Sequence, residues 1–240
     1  HPIPRQGLDL PSLCPRPPRN GKPRTVHPVE LSVMNIERFG LYLVVTNPAT
    51  SYERCAEAAV SAGLRYIQLR MKKSGRGHIL STARNLRSIT RGTATRFIVN
   101  DDPALAAEAE ADGVHLGQND MPLPEARRLF PSLRFFGLST HNPVQAESAI
   151  AVAPDYCGVG PVYATPTKEI PDPFLGPELA GDIIRNAPFT TVAIGGINAD
   201  NLPTVLRAGA VNFAVVRHVC LAPDPYDAIR TLQDVWQTFR

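Results

Sequence analysis

The sequence predicts an α/β fold, a (β/α)8 TIM barrel behind a Pro/Arg-rich flexible N-terminal tail, and three observations carry the prediction. From residue 36 onward, short runs of β-branched and other apolar residues alternate with longer stretches of helical period, the signature of repeated strand-helix units. Several of the helical stretches begin at capping residues and four are followed by glycines, so the punctuation agrees with the periodicity. Eight such units fit between residues 36 and 240, which matches the barrel in count and sits near its lower size limit. A doubly wound open sheet is the competing architecture, because it uses the same units without closing them.

The eight runs occupy residues 41–46, 66–70, 96–100, 113–116, 135–139, 156–160, 191–194 and 213–216. Candidate helices follow them near 52–62, 76–91, 103–110, 122–130, 143–152, 177–186, 199–208 and 224–239. Asp101-Asp102-Pro103 offers an acidic N-cap ahead of a first-turn proline, and Asn198 precedes Ala199-Asp200-Asn201 as a second cap. Gly63, Gly92, Gly113 and Gly209 follow helical stretches, where glycine tolerates the left-handed turn into the next strand.

Two regions are expected, an extension over 1–35 and a catalytic barrel over 36–240. The extension holds eight of the 24 prolines and five basic side chains (Arg5, Arg16, Arg19, Lys22, Arg24) against Asp9 and Glu30, with too little apolar periodicity to offset the entropy of ordering it. That imbalance equals the whole chain's net charge of +3. The barrel is therefore neutral and lacks the general positive field of a nucleic-acid binder. No window approaches the ~20 apolar residues that cross a bilayer, and the N-terminus has no apolar signal core, so no membrane partner is expected. Cys14, Cys55, Cys157 and Cys220 are scattered without ligand spacing, which argues against structural zinc and a disulfide framework and favours a reducing cytoplasm. A homo-oligomer is left open.

In a barrel of this kind the reacting groups belong at the C-terminal ends of the strands. The second run ends Gln68-Leu69-Arg70-Met71-Lys72, and a period of two places Gln68, Arg70 and Lys72 on one face. Two cations and an amide suit an anionic ligand such as a diphosphate; the ordinary alternative is a solvated strand edge. The third run ends Asn100-Asp101-Asp102, and the turn after the fourth reads Gly117-Gln118-Asn119-Asp120. On neighbouring loops, Asp101 and Asp120 can share one Mg²⁺, which typically takes one or two carboxylates beside water and phosphate oxygens; alone, each is an ordinary cap or turn residue. After the sixth run, Thr165-Pro166-Thr167-Lys168 offers two hydroxyls and an ammonium on a stiffened loop. Gly195-Gly196 after the seventh lets backbone N–H groups approach an anion, although a pair of glycines is also a plain turn. His115 alternates with Val114 and Leu116 and reads as a hydrogen-bonding residue of the barrel interior.

Taken together, QLRMK, NDD, DGVHLGQND, GLSTH, GVGPVYATPTK and AIGGI, in this order at six successive strand ends, resemble the thiamine phosphate synthase family over roughly residues 39–216. The resemblance implies a (β/α)8 transferase that joins hydroxymethylpyrimidine diphosphate to thiazole monophosphate with Mg²⁺, releasing pyrophosphate. It further implies that Arg70, Lys72, Asn100 and Lys168 hold the diphosphate, that Asp101 and Asp120 carry Mg²⁺, and that Gln68 meets the aminopyrimidine. Thr165, Thr167 and Gly196 would grip the thiazole phosphate, with Ser139 beside the reacting carbon. Catalytic roles then fall to Arg70, Lys72, Ser139 and Lys168.

One departure stands out. Where the family usually carries a small serine after the eighth strand, in Val-Val-Ser-Ala-Ile, this chain reads Val215-Val216-Arg217-His218-Val219. Arg217 is expected to reach over the thiazole phosphate, replacing close backbone contact by charge; the alternative has it in solvent or blocking the pocket. Two other functions compete. A thiazole tautomerase-like paralogue shares the barrel but has little need for the QLRMK cations and two metal carboxylates, and a catalytically silent ligand-sensing paralogue is favoured only by the altered last turn.

Overall fold

A computed structural model describes residues 36–166 and 173–239. The extension over 1–35 lies outside the described residues, as do Thr167 and Lys168. Eight parallel strands close on themselves: β1 (Leu41–Val45), β2 (Tyr66–Leu69), β3 (Arg96–Asn100), β4 (Gly113–Leu116), β5 (Phe135–Thr140), β6 (Tyr156–Val159), β7 (Thr191–Ile194) and β8 (Phe213–Val215). Pairing of β1 with β8, Tyr42 opposite Ala214, completes the barrel and excludes the open sheet.

The helices between the strands are α1 (Tyr52–Ser61), α2 (Arg76–Thr90), α3 (Pro103–Glu108), α4 (Leu123–Leu129), α5 (Pro143–Val152), α6 (Gly176–Asn186) and α7 (Leu202–Arg207). A short α8 (Arg217–Cys220) and the closing α9 (Pro225–Gln237) follow β8. None among the described residues is long and apolar enough to cross a membrane. Asp102 caps α3 as expected, its carboxylate accepting from the Leu105 N–H at 2.8 Å.

Two expectations at element ends are corrected. Asn198 does not cap α7; its side chain accepts from the N–H groups of Asp200 and Asn201 in a turn, and the helix starts only at Leu202. An Asn side chain offers the backbone a local partner that competes with helix. Gly113 is not a left-handed helix end but the first residue of β4, and Glu110 takes the positive φ instead. Glycine is needed at 113 for space, since a Cβ there would lie 2.0 Å from the Phe135 carbonyl oxygen.

Period-two alternation sorts the side chains into two cores. Outward residues such as Leu43, Ile67, Phe97 and Val114 pack under the helices. Inward residues, among them Tyr42, Tyr66, Ile98, Tyr156 and Val192, fill the barrel. Gly137 of β5 makes room for this aromatic filling: a Cβ there would meet Tyr156 Cζ at 2.3 Å and His115 Nδ1 at 2.5 Å. Gly137→Ala is therefore expected to lower stability by about 1–3 kcal/mol through overpacking, measured as a fall in the denaturant midpoint.

Candidate functional site

A cavity of about 480 Å³ opens at the C-terminal ends of the strands. Of the residues singled out from the sequence, Gln68, Arg70, Asn100, Ser139, Thr165, Gly196 and Arg217 line it. Gln68, Arg70, Asn100 and Ser139 follow from strand register. Gln68 points inward from β2, one layer above Tyr66, and Arg70 continues that face where the β2 backbone still pairs with β1 through Arg70 N–H and the Val45 carbonyl at 2.9 Å.

Lys72, Asp101 and Asp120 form a cluster beside this cavity. Lys72 Nζ donates to Asp101 Oδ2. Asp101 sits at φ +67°, a left-handed conformation that Asp adopts more readily than most residues, and its N–H is fixed to the His115 carbonyl at 2.8 Å. Asp120 is held by its own turn, accepting the Gly117 N–H at 2.6 Å. Burial raises the Asp120 carboxyl above its ordinary range, the Gly117 N–H opposes this, and the adjoining Asp101 carboxylate raises it further. Burial likewise lowers Arg70, while the charge of Asp101 works against that shift. Two carboxylates thus face each other with cations alongside. The donor set is hard oxygen and carries two negative charges at close range, which fits a small divalent cation that keeps part of its shell for water and ligand oxygens.

The floor of the cavity carries a polar chain that includes residues the motif reading missed. Gln68 Nε2 donates to Tyr42 Oη at 2.9 Å, Tyr42 and Tyr156 share a hydrogen bond of 2.7 Å, Tyr156 reaches His115 Nδ1 at 3.3 Å, and His115 Nε2 meets Ser139 Oγ at 2.9 Å. The Gln68 amide nitrogen only donates, whereas the Tyr42 and Tyr156 hydroxyls can each donate or accept, and the roles of the two His115 nitrogens follow its tautomer. Burial raises the hydroxyls of both tyrosines, which keeps them neutral donors. His115 is thus the interior hydrogen-bonding residue that its alternation suggested. Tyr42 and Tyr156 were legible only as inward positions of period two.

The loops after β6 and β7 are locked together. Val162 N–H donates to the Ile194 carbonyl at 2.8 Å and Tyr163 N–H to the Gly195 carbonyl at 3.0 Å. A Cβ on Gly196, at φ +67°, would stand 2.8 Å from Tyr163 Cβ, so the close approach requires glycine. Thr165 on the first loop and Gly196 on the second consequently share one cavity wall. Arg217 opens α8 just after β8, the neighbour of β7, is exposed, and lines the cavity beside His218; burial lowers the His218 imidazole, with Asp200 opposing.

Closed eight-stranded topology with a cavity at the strands' C-terminal mouth defines the class: a (β/α)8 barrel whose ligands enter at that end. The family model described as thiamine monophosphate synthase matches residues 41–219. The chain is 40% identical over 200 residues to the thiamine-phosphate synthase of Synechocystis sp., covering 83% of this chain and 58% of that protein. It is 39% identical to the enzyme of that name from Methanospirillum hungatei, covering 82% of this chain and 97% of the other. Among solved structures, a thiamine phosphate pyrophosphorylase from Pyrococcus furiosus superposes with a TM-score of 0.76 at 31% identity, covering 84% of this chain and 96% of that one. The chain belongs to the thiamine monophosphate synthase family. It spans a little over half the length of the cyanobacterial relatives it matches.

Proposed function

We propose that the protein is a transferase of thiamine biosynthesis that couples hydroxymethylpyrimidine diphosphate to thiazole monophosphate, giving thiamine monophosphate and pyrophosphate. The observation that carries the reading is the convergence at one rim of Gln68, Arg70, Asn100 and Ser139 in a cavity with the Lys72–Asp101–Asp120 cluster at its edge. A ligand-sensing or tautomerising paralogue has no evident need for both the cations and the paired carboxylates.

Asp101 and Asp120 would hold Mg²⁺, whose chemistry when bound is to offset the negative charge that builds on a departing diphosphate. Arg70, Lys72 and Asn100 would grip the same diphosphate, with Lys168 from the β6 loop as a further cation. These groups act because they are already in place, so little reorganisation accompanies bond breaking. Gln68 would orient the aminopyrimidine, whose own electrons stabilise the methylene cation left behind, and the thiazole nitrogen then attacks that carbon. The ring nitrogen carries the attacking lone pair, and bond formation needs no protein base. Ser139, oriented by His115, would lie beside the reacting carbon, while Thr165, Thr167 and Gly196 would receive the thiazole phosphate.

A cytoplasmic setting is part of this reading, supported by cysteines scattered along the sequence without framework or ligand spacing. The test is to mix both substrates with Mg²⁺ and follow pyrophosphate release and thiamine monophosphate by mass. Formation of both supports the reading, and thiazole isomerisation or binding without coupling overturns it. Arg217→Ser decides the role of the departure after β8: the clamp requires a raised KM for thiazole phosphate, and an unchanged or lower KM removes it.

A further inference from the structure

A second polar cavity, about 330 Å³ in volume, lies at the opposite end of the barrel. Its cations come from separate elements: Arg65 just ahead of β2, Arg87 in the last turn of α2, Arg96 opening β3, and Arg134 just ahead of β5. Strand starts gather here for the same reason that strand ends gather at the mouth, since parallel strands in register bring their first residues to one rim.

Two acids face these four cations. Asp112 in the cavity wall accepts from Arg87 at 3.1 Å and Arg134 at 3.1 Å. Glu37 beneath it accepts from Arg65 at 2.8 Å and Arg96 at 2.9 Å. Two positive charges are left over within the cluster. Arg87 lines the cavity wall with its Nη1 on Asp112, while its Nε is buried away from solvent without a hydrogen-bond partner. Arg96 meanwhile is stiffened by stacking over Phe135 at 3.9 Å, so its guanidinium plane is presented in a fixed orientation.

We propose that this N-terminal cavity binds a small oxyanion of the phosphate class, inorganic phosphate or pyrophosphate. A tetrahedral oxyanion has acceptors in several directions and a charge near that of the surplus, whereas one guanidinium fork satisfies a single edge of it. Several forks from different elements supply the rest. The site is separate from the reaction proposed at the mouth and does not depend on it.

The test uses the full chain in Mg²⁺-free, low-salt buffer. Arg70→Gln with Lys72→Gln first weakens diphosphate binding at the mouth, and inorganic phosphate and pyrophosphate are then titrated separately by calorimetry, before and after changes confined to the N-terminal cavity, to which any anion held by the loops after β6 and β7 is indifferent. One remaining site, weakened about tenfold or more by adding Arg65→Gln and Arg134→Gln, is expected from the loss of charge-assisted hydrogen bonds. Binding of either anion that weakens with the Arg65 and Arg134 substitutions supports the site, and the two titrations distinguish which anion it selects. No heat up to about 1 mM anion, or binding indifferent to the two arginine substitutions, overturns it. Arg134→Gln alone guards against misfolding, because that side chain is 71% exposed and its removal leaves Arg87 on Asp112.

Discussion

Asp101→Asn is expected to lower kcat/KM for the coupling reaction by about 10²-fold or more, a barrier increase of ~2.7 kcal/mol. Asparagine isolates the charge from the backbone. Residue 101 has φ +67°, and Asn tolerates that conformation as Asp does, whereas alanine would add strain. The substitution keeps the hydrogen bond from the Asp101 position to the His115 carbonyl, which is made by the backbone. What it removes is one of two facing carboxylates and the anionic partner of Lys72. The loss should be accompanied by a rise in the Mg²⁺ concentration giving half-maximal rate, with an unchanged melting temperature. Near-wild-type turnover would contradict the proposed metal-holding role, since no Asp or Glu among the described residues lines the mouth cavity itself.

The barrel was legible because its two periods are written locally. Strand and helix positions depend on apolar spacing within a dozen residues, and β3, β4 and β7 begin and end where the runs do. The four-residue α8 escaped because it is too short to display a helical period. The same locality explains what could be read of the site. Gln68 and Arg70 alternate on a strand, and the barrel rule sends strand ends to one mouth, so their convergence was predictable without contacts. Tyr42 and Tyr156 are different: they are 114 residues apart and meet only across the closed interior, and nothing in the text near either residue signals the other. Asp112 is a third case. It stands in the text only as the first letter of DGVHLGQND, yet folding buries it to 8% exposure beside β3, α2 and the start of β5.

That burial makes Asp112→Ala the largest expected stability loss. One oxygen accepts the Phe97 N–H at 2.9 Å and Arg87 at 3.1 Å, and the other accepts Arg134 at 3.1 Å. The Asp112 backbone also joins its neighbours, donating to the Phe97 carbonyl and accepting from the N–H groups of Arg134 and Phe135. Alanine preserves those backbone bonds and deletes the carboxylate. The Phe97 N–H is then left without its side-chain acceptor inside a fully buried residue, and Arg87, whose side chain is only 18% exposed, loses its acid beside a nitrogen that already lacks a partner. Breaking a buried ion pair from one side costs about 3–5 kcal/mol because the other charge stays behind. The bond to Arg134 adds little to this, as a largely exposed partner is screened. For a barrel of this size the loss corresponds to a melting temperature lower by roughly 6–20 °C. Asp112→Asn separates the two contributions: its carbonyl can still accept the Phe97 N–H, so it should recover part of the loss while Arg87 stays uncompensated. Equal melting temperatures for Asp112→Ala and Asp112→Asn would place the whole effect on the charge, and a wild-type value for Asp112→Ala would show that the carboxylate does not hold the lower rim together.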